Sequence, residues 1–266
     1  MLEDPKSARV KGVTRLQQKD ARLETGLFLL EGPQGLKEMV KAPELIQEVF
    51  ATAESLDRYP FEFEDLDNAG VLITEVSDRV MAALSDTKTP QGVIAVVEQL
   101  DVDLSAVIAN KPQLLAILDQ ARDPGNAGTV IRAADAAGAD AVILSRDSVD
   151  LYNPKVIRST AGSIFHLANV VNQDSVEAIS ELKAAGIQVF AADAGGVLIT
   201  ELSQEELSRP TAWIFGNEAH GVSPEVLLAA DKVIGLPIYG EAESLNIATA
   251  ASVCLYASAF AMRANR

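Results

Sequence analysis

One cysteine, two histidines and 5% aromatic residues leave this 266-residue chain with few side chains suited to redox, metal or thiol chemistry. Cys254 lies in an apolar helical stretch and has no partner for an internal disulfide. That fits a reducing compartment, and the thiol reads as packing. His166 and His220 stand alone, so no cluster has the spacing of zinc ligands and no metal is expected. A Walker A loop, a G-x-S-x-G elbow and an EF-hand loop are all missing, which sets aside the common phosphate-binding and hydrolase signatures. No apolar run approaches the ~20 residues of a membrane span. The N-terminal MLEDPKSARVKG lacks the apolar core of a secretion signal, so a cytoplasmic protein without a membrane partner is expected.

What is present is a globular composition: 48% hydrophobic residues in a chain long enough for two domains. The net charge of −16 opposes binding to phosphate backbones, whose affinity comes mainly from Lys and Arg. Its distribution is uneven, with +2 over residues 1–26, −11 over 27–110 and −7 over the rest. The basic excess sits in an N-terminal arm carrying Arg9, Lys11, Arg15, Lys19 and Arg22, which reads as a solvated helix. Those five are candidates for RNA contact, and an ordinary wet helix face is the alternative.

After Gly26, strand and helix alternate through FLLEGPQGLKEMVKA, LIQEVFAT, a helix near Glu54 to Arg58, VLITEV, VMAALSD and TKTPQGVIAVVEQL. Periodicity lapses over Asp101 to Pro112, placing a linker there and dividing the chain into domains at 1–107 and 108–266. The second opens with LLAILD. It continues as βα units: AVILS, a helix over Pro154 to Thr160, FHLANVV, a helix over Ser175 to Ala185 and IQVFAAD. Such alternation predicts a mainly parallel sheet covered on both faces.

The most informative stretch runs from Trp213 to Arg263. It begins WIFGNEAHGVSPE and continues GLPIYGEAESLNIATAASVCLYASAFAMR. Two polar loops, each after a buried strand, emerge at one edge of a parallel sheet, where open α/β folds place ligands. Taken singly, GNEAHG reads equally as a glycine turn and Ser-Leu-Asn as a helix cap. A third segment, PGNAGTVIRAADAAGADAVIL from Pro124, follows another buried strand. Its Gly125 and Gly128 do not form G-x-G-x-x-G, and no acidic residue ends the next strand, which sets a nicotinamide oxidoreductase aside. Arg132, among alanines on a helix that must pack on a sheet, is expected to reach into a cleft.

These three segments, in this order, resemble the motifs of the SpoU (TrmH-like) branch of the SPOUT superfamily, enzymes that methylate ribose 2′-hydroxyls in ribosomal or transfer RNA. Leu29 to Gly32 and the T-P-Q-G loop, with Gln91 and Gly92, resemble the family's small L30e-like α/β RNA-binding domain. The resemblance implies an α/β fold with a SPOUT domain, a trefoil knot, S-adenosylmethionine as methyl donor, and a homodimer through the C-terminal domain. It places donor contacts at Gly216, Leu236, Ile238 and Leu245, and polar groups around donor and ribose at Asn126, Glu218, Ser244 and Asn246. Arg132 matches the arginine held to activate the hydroxyl, either as a transient base or as a fixed charge; both readings stand. Lys155, Arg158 and Thr160 in NPKVIRSTAG match a phosphate-contacting turn, against surface charge and a helix cap. The exposed His220 is not expected to be a base. Ribosomal RNA is the expected substrate, with transfer RNA as a second possibility. A noncatalytic RNA-binding assembly factor retaining the fold is the rival reading.

Overall fold

The structure, a computed structural model, describes residues 1–264; residues 265 and 266, at the end of the second expected domain, lie outside the described residues. The chain forms two compact units, Met1–Gln99 with Tyr152–Gly162, and Leu100–Leu151 with Ser163–Arg266. The division falls at Gln99/Leu100, ahead of the expected 107/108. The reason is visible in the supposed linker: it contains a helix, Leu104–Ala109, whose Leu104 and Val107 are buried in the core of the second unit.

The first unit holds a four-stranded sheet of β1 (Leu27–Glu31), β2 (Ile46–Ala51), β3 (Ile73–Glu75) and β4 (Val93–Glu98), ordered β1-β4-β2-β3. β4 is antiparallel to both β1 and β2, and β2 runs parallel to β3. Phe50, Val80, Met81, Leu84 and Ile94 form its core, and Val10 and Leu16 of the N-terminal arm pack into the same cluster. The arm is therefore anchored: two short helices, Ala8–Thr14 and Lys19–Thr25, flank a 3-10 turn at Arg15–Gln17. A second helix that the sequence pattern did not reveal, Pro60–Asn68, follows Ala53–Arg58.

In the second unit six parallel strands follow: β5 (Leu114–Leu118), β6 (Ala141–Ser145), β7 (Ala168–Gln173), β8 (Gln188–Leu198), β9 (Thr211–Phe215) and β10 (Lys232–Gly235). Their order is β10-β8-β9-β5-β6-β7. β5, β6 and β9 are buried along their whole length, as expected of strands covered on both faces, which read as unbroken apolar runs. Trp213 on β9 is fully buried against Phe190 in an edge-on contact at 5.2 Å, and its Nε1–H donates to Ser258 Oγ at 2.9 Å. That indole bond fixes the last helix, Ile247–Ala264, against the sheet.

By length and composition this helix, of 18 residues, does reach what a membrane span requires, against the expectation from the sequence. Ala251, Cys254, Leu255 and Ser258 are nevertheless buried within the unit, the pattern of a core helix. Burial pushes the Cys254 thiol up to about 12, consistent with a packing role.

Candidate active site

The site is built at the C-terminal ends of β8, β9 and β10, together with the helix that follows β5. That helix, Pro124–Ala137, starts where its sequence directs: Asp123 caps it by accepting the Asn126 N–H at 2.7 Å, and Pro124 occupies the first turn, where no N–H is needed. Asn126 therefore sits at the mouth of the cleft. β9 delivers the second loop. Gly216 is buried where an added Cβ would lie 2.2 Å from Gly221 C and Val222 N, so only glycine lets this loop fold back so tightly. Asn217 and Gly221 close it with mutual backbone hydrogen bonds at 2.8 Å. After β10 comes the third loop, which ends at Asn246. Its side chain accepts from Ala248 N–H at 2.8 Å and so caps the last helix.

Side chains tie the three loops together. Asn246 Nδ2 donates to Asn126 Oδ1 at 2.9 Å, and Asn126 Nδ2 donates to Glu218 Oε1 at 3.3 Å. Glu218 also accepts from the backbone N–H groups of Arg122 and Asp123, at 3.4 and 3.3 Å. Asn217 Nδ2 donates to Gln120 O at 2.8 Å. Around this network opens a cleft of about 540 Å³, within the range of small-molecule sites.

Eight of the nine residues assigned from the sequence to catalysis or donor binding line that cleft: Asn126, Gly216, Glu218, Leu236, Ile238, Ser244, Leu245 and Asn246. The ninth, Arg132, does not; it is exposed, contrary to the expectation that it reaches into a cleft. The cause is helical phase, since six residues turn a helix through a position about 120° away from Asn126. Ile131 and Ala134 take the buried face instead. His220 is exposed and does not line the cleft.

Asp193 and Glu243 line it too and escaped the sequence reading. Asp193 arrives through an irregularity in β8: Ala191 pairs with Val233 of β10 but Val197 with Ile234, and pairing to β9 ends at Ala192, so Asp193 to Gly196 leave both ladders. A carboxylate directly after a buried strand, at the ligand-binding edge of the sheet, was the signal available. With Glu218, three carboxylates line the cleft and, among the described residues, no lysine or arginine does. That balance suits a positively charged ligand and opposes a pyrophosphate. The residues present thus fit S-adenosylmethionine, whose sulfonium and amino group outweigh its one carboxylate, and whose other parts meet apolar side chains and backbone.

The expected RNA contacts divide. Lys11, Lys19 and Lys155 are exposed and have no ion-pair partner among the described residues. Arg9 pairs with Glu48 and lies over Phe50, and the exposed Arg15 pairs with Glu24 at 3.1 Å. Arg22 corrects the picture of a wholly solvated arm: it is 2% exposed, and its Nη1 donates to Leu16 O at 2.8 Å, so it holds the arm together. Buried guanidinium is tolerated only where such acceptors meet it. Thr160 is likewise buried and donates to Ile157 O at 2.7 Å, leaving its hydroxyl no access to a phosphate. Arg158 is half-buried and pairs with Asp86 at 3.0 Å.

Fold and site define an α/β methyl-donor enzyme carrying a separate substrate-binding unit. The chain belongs to the SpoU rRNA methylase family, whose model matches residues 113–256, and residues 7–95 match the MRM3-like substrate binding domain. It is 36% identical to the Bacillus subtilis 23S rRNA (guanosine(2553)-2′-O)-methyltransferase RlmP, over 96% of this chain and 97% of that one. It is 32% identical to RlmB of Bordetella pertussis, a 23S rRNA (guanosine-2′-O-)-methyltransferase, over 82% of this chain and 90% of the other. Among solved structures, the AdoMet-bound rRNA methyltransferase from Sinorhizobium meliloti superposes with a TM-score of 0.84 at 29% identity, covering 97% of this chain and 96% of that one.

Proposed function

We propose that the protein methylates ribosomal RNA, and that the residues joined across its three loops are its catalytic and donor-binding groups. The chain is an S-adenosylmethionine-dependent RNA 2′-O-ribose methyltransferase. The observation that carries the site assignment is the Asn246–Asn126–Glu218 hydrogen-bond chain, which binds three distant segments around one acidic cleft.

When bound, S-adenosylmethionine supplies an electrophilic methyl on a good leaving group, so alignment provides much of the acceleration. Gly216, Leu236, Ile238 and Leu245 would hold it, and the cleft's carboxylates favour its positive charge. Asn126, Ser244 and Asn246 orient the ribose, and the interlocked amides of Asn126 and Asn246 fix that orientation before substrate arrives. Arg132 lies outside the cleft and is exposed, so it acts on RNA that approaches from solvent. Guanidinium, with a pKa above ~12, is a poor base. The exposed position favours the reading in which Arg132 stays charged and orients a phosphate of the RNA.

Lys11, Lys19 and Lys155 are the exposed cations that suit phosphate contact. The match of residues 7–95 to a substrate binding domain supports placing RNA affinity in the first unit. A homodimer through the last helix, a trefoil knot in the C-terminal SPOUT domain and a cytoplasmic location complete the proposal. Mapping 2′-O-methylation on ribosomal and transfer RNA from cells with and without the protein tests it. A single ribosomal site should vanish in its absence; loss confined to transfer RNA would overturn the target.

A further inference from the structure

The loop that follows β10 is tied to the cleft at both of its ends: Leu236 and Ile238 line the cleft on one side of the turn, and Glu243 and Leu245 on the other. Between them Tyr239 to Ala242 stand exposed. Tyr239 is 89% exposed and does not itself line the cleft. Among the described residues its ring meets no aromatic or guanidinium partner and its hydroxyl makes no hydrogen bond. Gly240 beside it has nothing within 4 Å of where a Cβ would stand, so no other part of the chain closes over this turn. A tyrosine held out of its own fold at the rim of a ligand site is a surface suited to contact.

The charge around it narrows what it can contact. Glu241 and Glu243 share the loop and are exposed, and the segment from Leu236 to Asn246 contains no lysine or arginine. Two carboxylates repel a phosphate. A flat, uncharged face is accepted, and every nucleobase has one.

We propose that Tyr239 stacks on the base of the nucleotide whose ribose is methylated, an inference that rests on the reading of the protein as an RNA 2′-O-methyltransferase. The ribose carbon bearing the 2′-hydroxyl is bonded to the carbon bearing the base, so a hydroxyl brought to the donor brings its base to the rim of the cleft. Ile238 lines that cleft, and the Tyr239 backbone follows it by one peptide unit, about 3.8 Å between Cα atoms. Proteins that handle unpaired RNA splay a base out and stack it on an aromatic side chain. With the ribose held by Asn126 and Asn246 and the base by Tyr239, the nucleotide is fixed at two points, which restricts the approach of oxygen to the methyl carbon. Stacking reads no base edge, so Tyr239 positions the nucleotide without choosing among the four bases. The ring meets the base before and during transfer, so its loss raises KM and leaves kcat nearly unchanged.

Methylation kinetics of the full chain on ribosomal RNA from cells lacking the protein, for wild type, Y239A, Y239F and Y239W, test this. Y239A is expected to raise KM about 5- to 100-fold, the effect of losing one base–aromatic stack, with kcat within a few-fold. Y239F and Y239W should keep KM within about threefold, because either ring stacks. Donor affinity by calorimetry and the mass by sedimentation equilibrium should match the wild type in all three variants. Trp213 is the chain's single tryptophan and is fully buried, so the indole added by Y239W reports on this position, and the same RNA should quench its fluorescence saturably. Wild-type KM in Y239A would overturn the proposal, and Y239F as impaired as Y239A would overturn it in favour of a hydrogen bond from the hydroxyl. Loss of donor affinity in Y239A would assign the ring to the donor cleft, and a changed mass would assign it to a subunit contact; either overturns the stack. A wild type that binds the donor and methylates no RNA would overturn the reading of the activity, and the stack with it.

Discussion

Asn246 donates its side-chain amide to Asn126 Oδ1 at 2.9 Å, although the two lie 120 positions apart in the chain. One amide begins the last helix and the other sits in the first turn of the helix after β5. The bond thus makes the geometry of one motif depend on another.

Substituting either partner should therefore affect donor binding beyond its own contact. Asn246→Ala also removes a helix cap and is expected to lower stability by about 1 kcal/mol. Asn126→Ala leaves its helix capped by Asp123 and should cost less. Both should weaken S-adenosylmethionine binding, and the double mutant should be less than additive, with a coupling of about 0.5–1.5 kcal/mol. Calorimetry on the four proteins of the cycle measures this, and strictly additive losses would show that the amides act independently.

Arg132 should behave differently because it does not line the cleft. Arg132→Ala is expected to lower turnover by about 100-fold or more while leaving donor affinity within a few-fold, the signature of a group needed chiefly in the transition state. Single-turnover methylation of substrate RNA and donor titration separate the two quantities. Wild-type turnover in this variant would remove Arg132 from the mechanism.

A pH prediction follows from Glu206. Its side chain accepts from Lys232, the main cause, and from the Ser203 N–H and hydroxyl, and these lower its carboxyl from 4.5 to about 2. A carboxyl depressed on folding stabilises above its unfolded pKa, and that contribution is lost as pH falls through the folded value. Here it is complete above about 4.5 and disappears toward pH 2. Lys232→Met should therefore bring the loss of thermal stability to a higher pH within this window. Identical midpoint-versus-pH curves for both proteins between pH 2 and 6 would show that the pair contributes nothing, as exposed pairs often do.

Long-range arrangement is what the sequence conveyed unevenly. Unbroken apolar runs such as LLAIL and TAWIF marked buried parallel strands, and the loops after them led to the cleft, because both signals are local. Arg132 shows where that reasoning ends: alanine neighbours announce a packed helix, but which face receives an arginine is fixed by phase against the sheet. Arg22 and Thr160 fail for a related reason, since a basic or hydroxyl side chain carries no mark of the carbonyl that will bury it. Asp193 needed a break in strand pairing that depends on two elements forty residues apart.

The last prediction is a homodimer built on Ile247–Ala264. Ala251, Cys254, Leu255 and Ser258 pack within the unit, yet Val253 is 45% and Phe260 66% exposed on the same helix. A helix with one face buried and apolar side chains on another is poorly suited to face water alone. Ala257 between those side chains leaves room for a second helix beside the Tyr256–Phe260 ring pair, and a two-fold contact would cover both copies at once. Phe260→Asp places a charge in that contact without touching the buried face, so it should yield a folded monomer. Sedimentation equilibrium at micromolar concentration should give a dimeric mass for the wild type and a monomeric mass for the variant, with unchanged far-UV circular dichroism. A monomeric wild type with full methyltransferase activity would refute both the dimer and any role for a second subunit in catalysis.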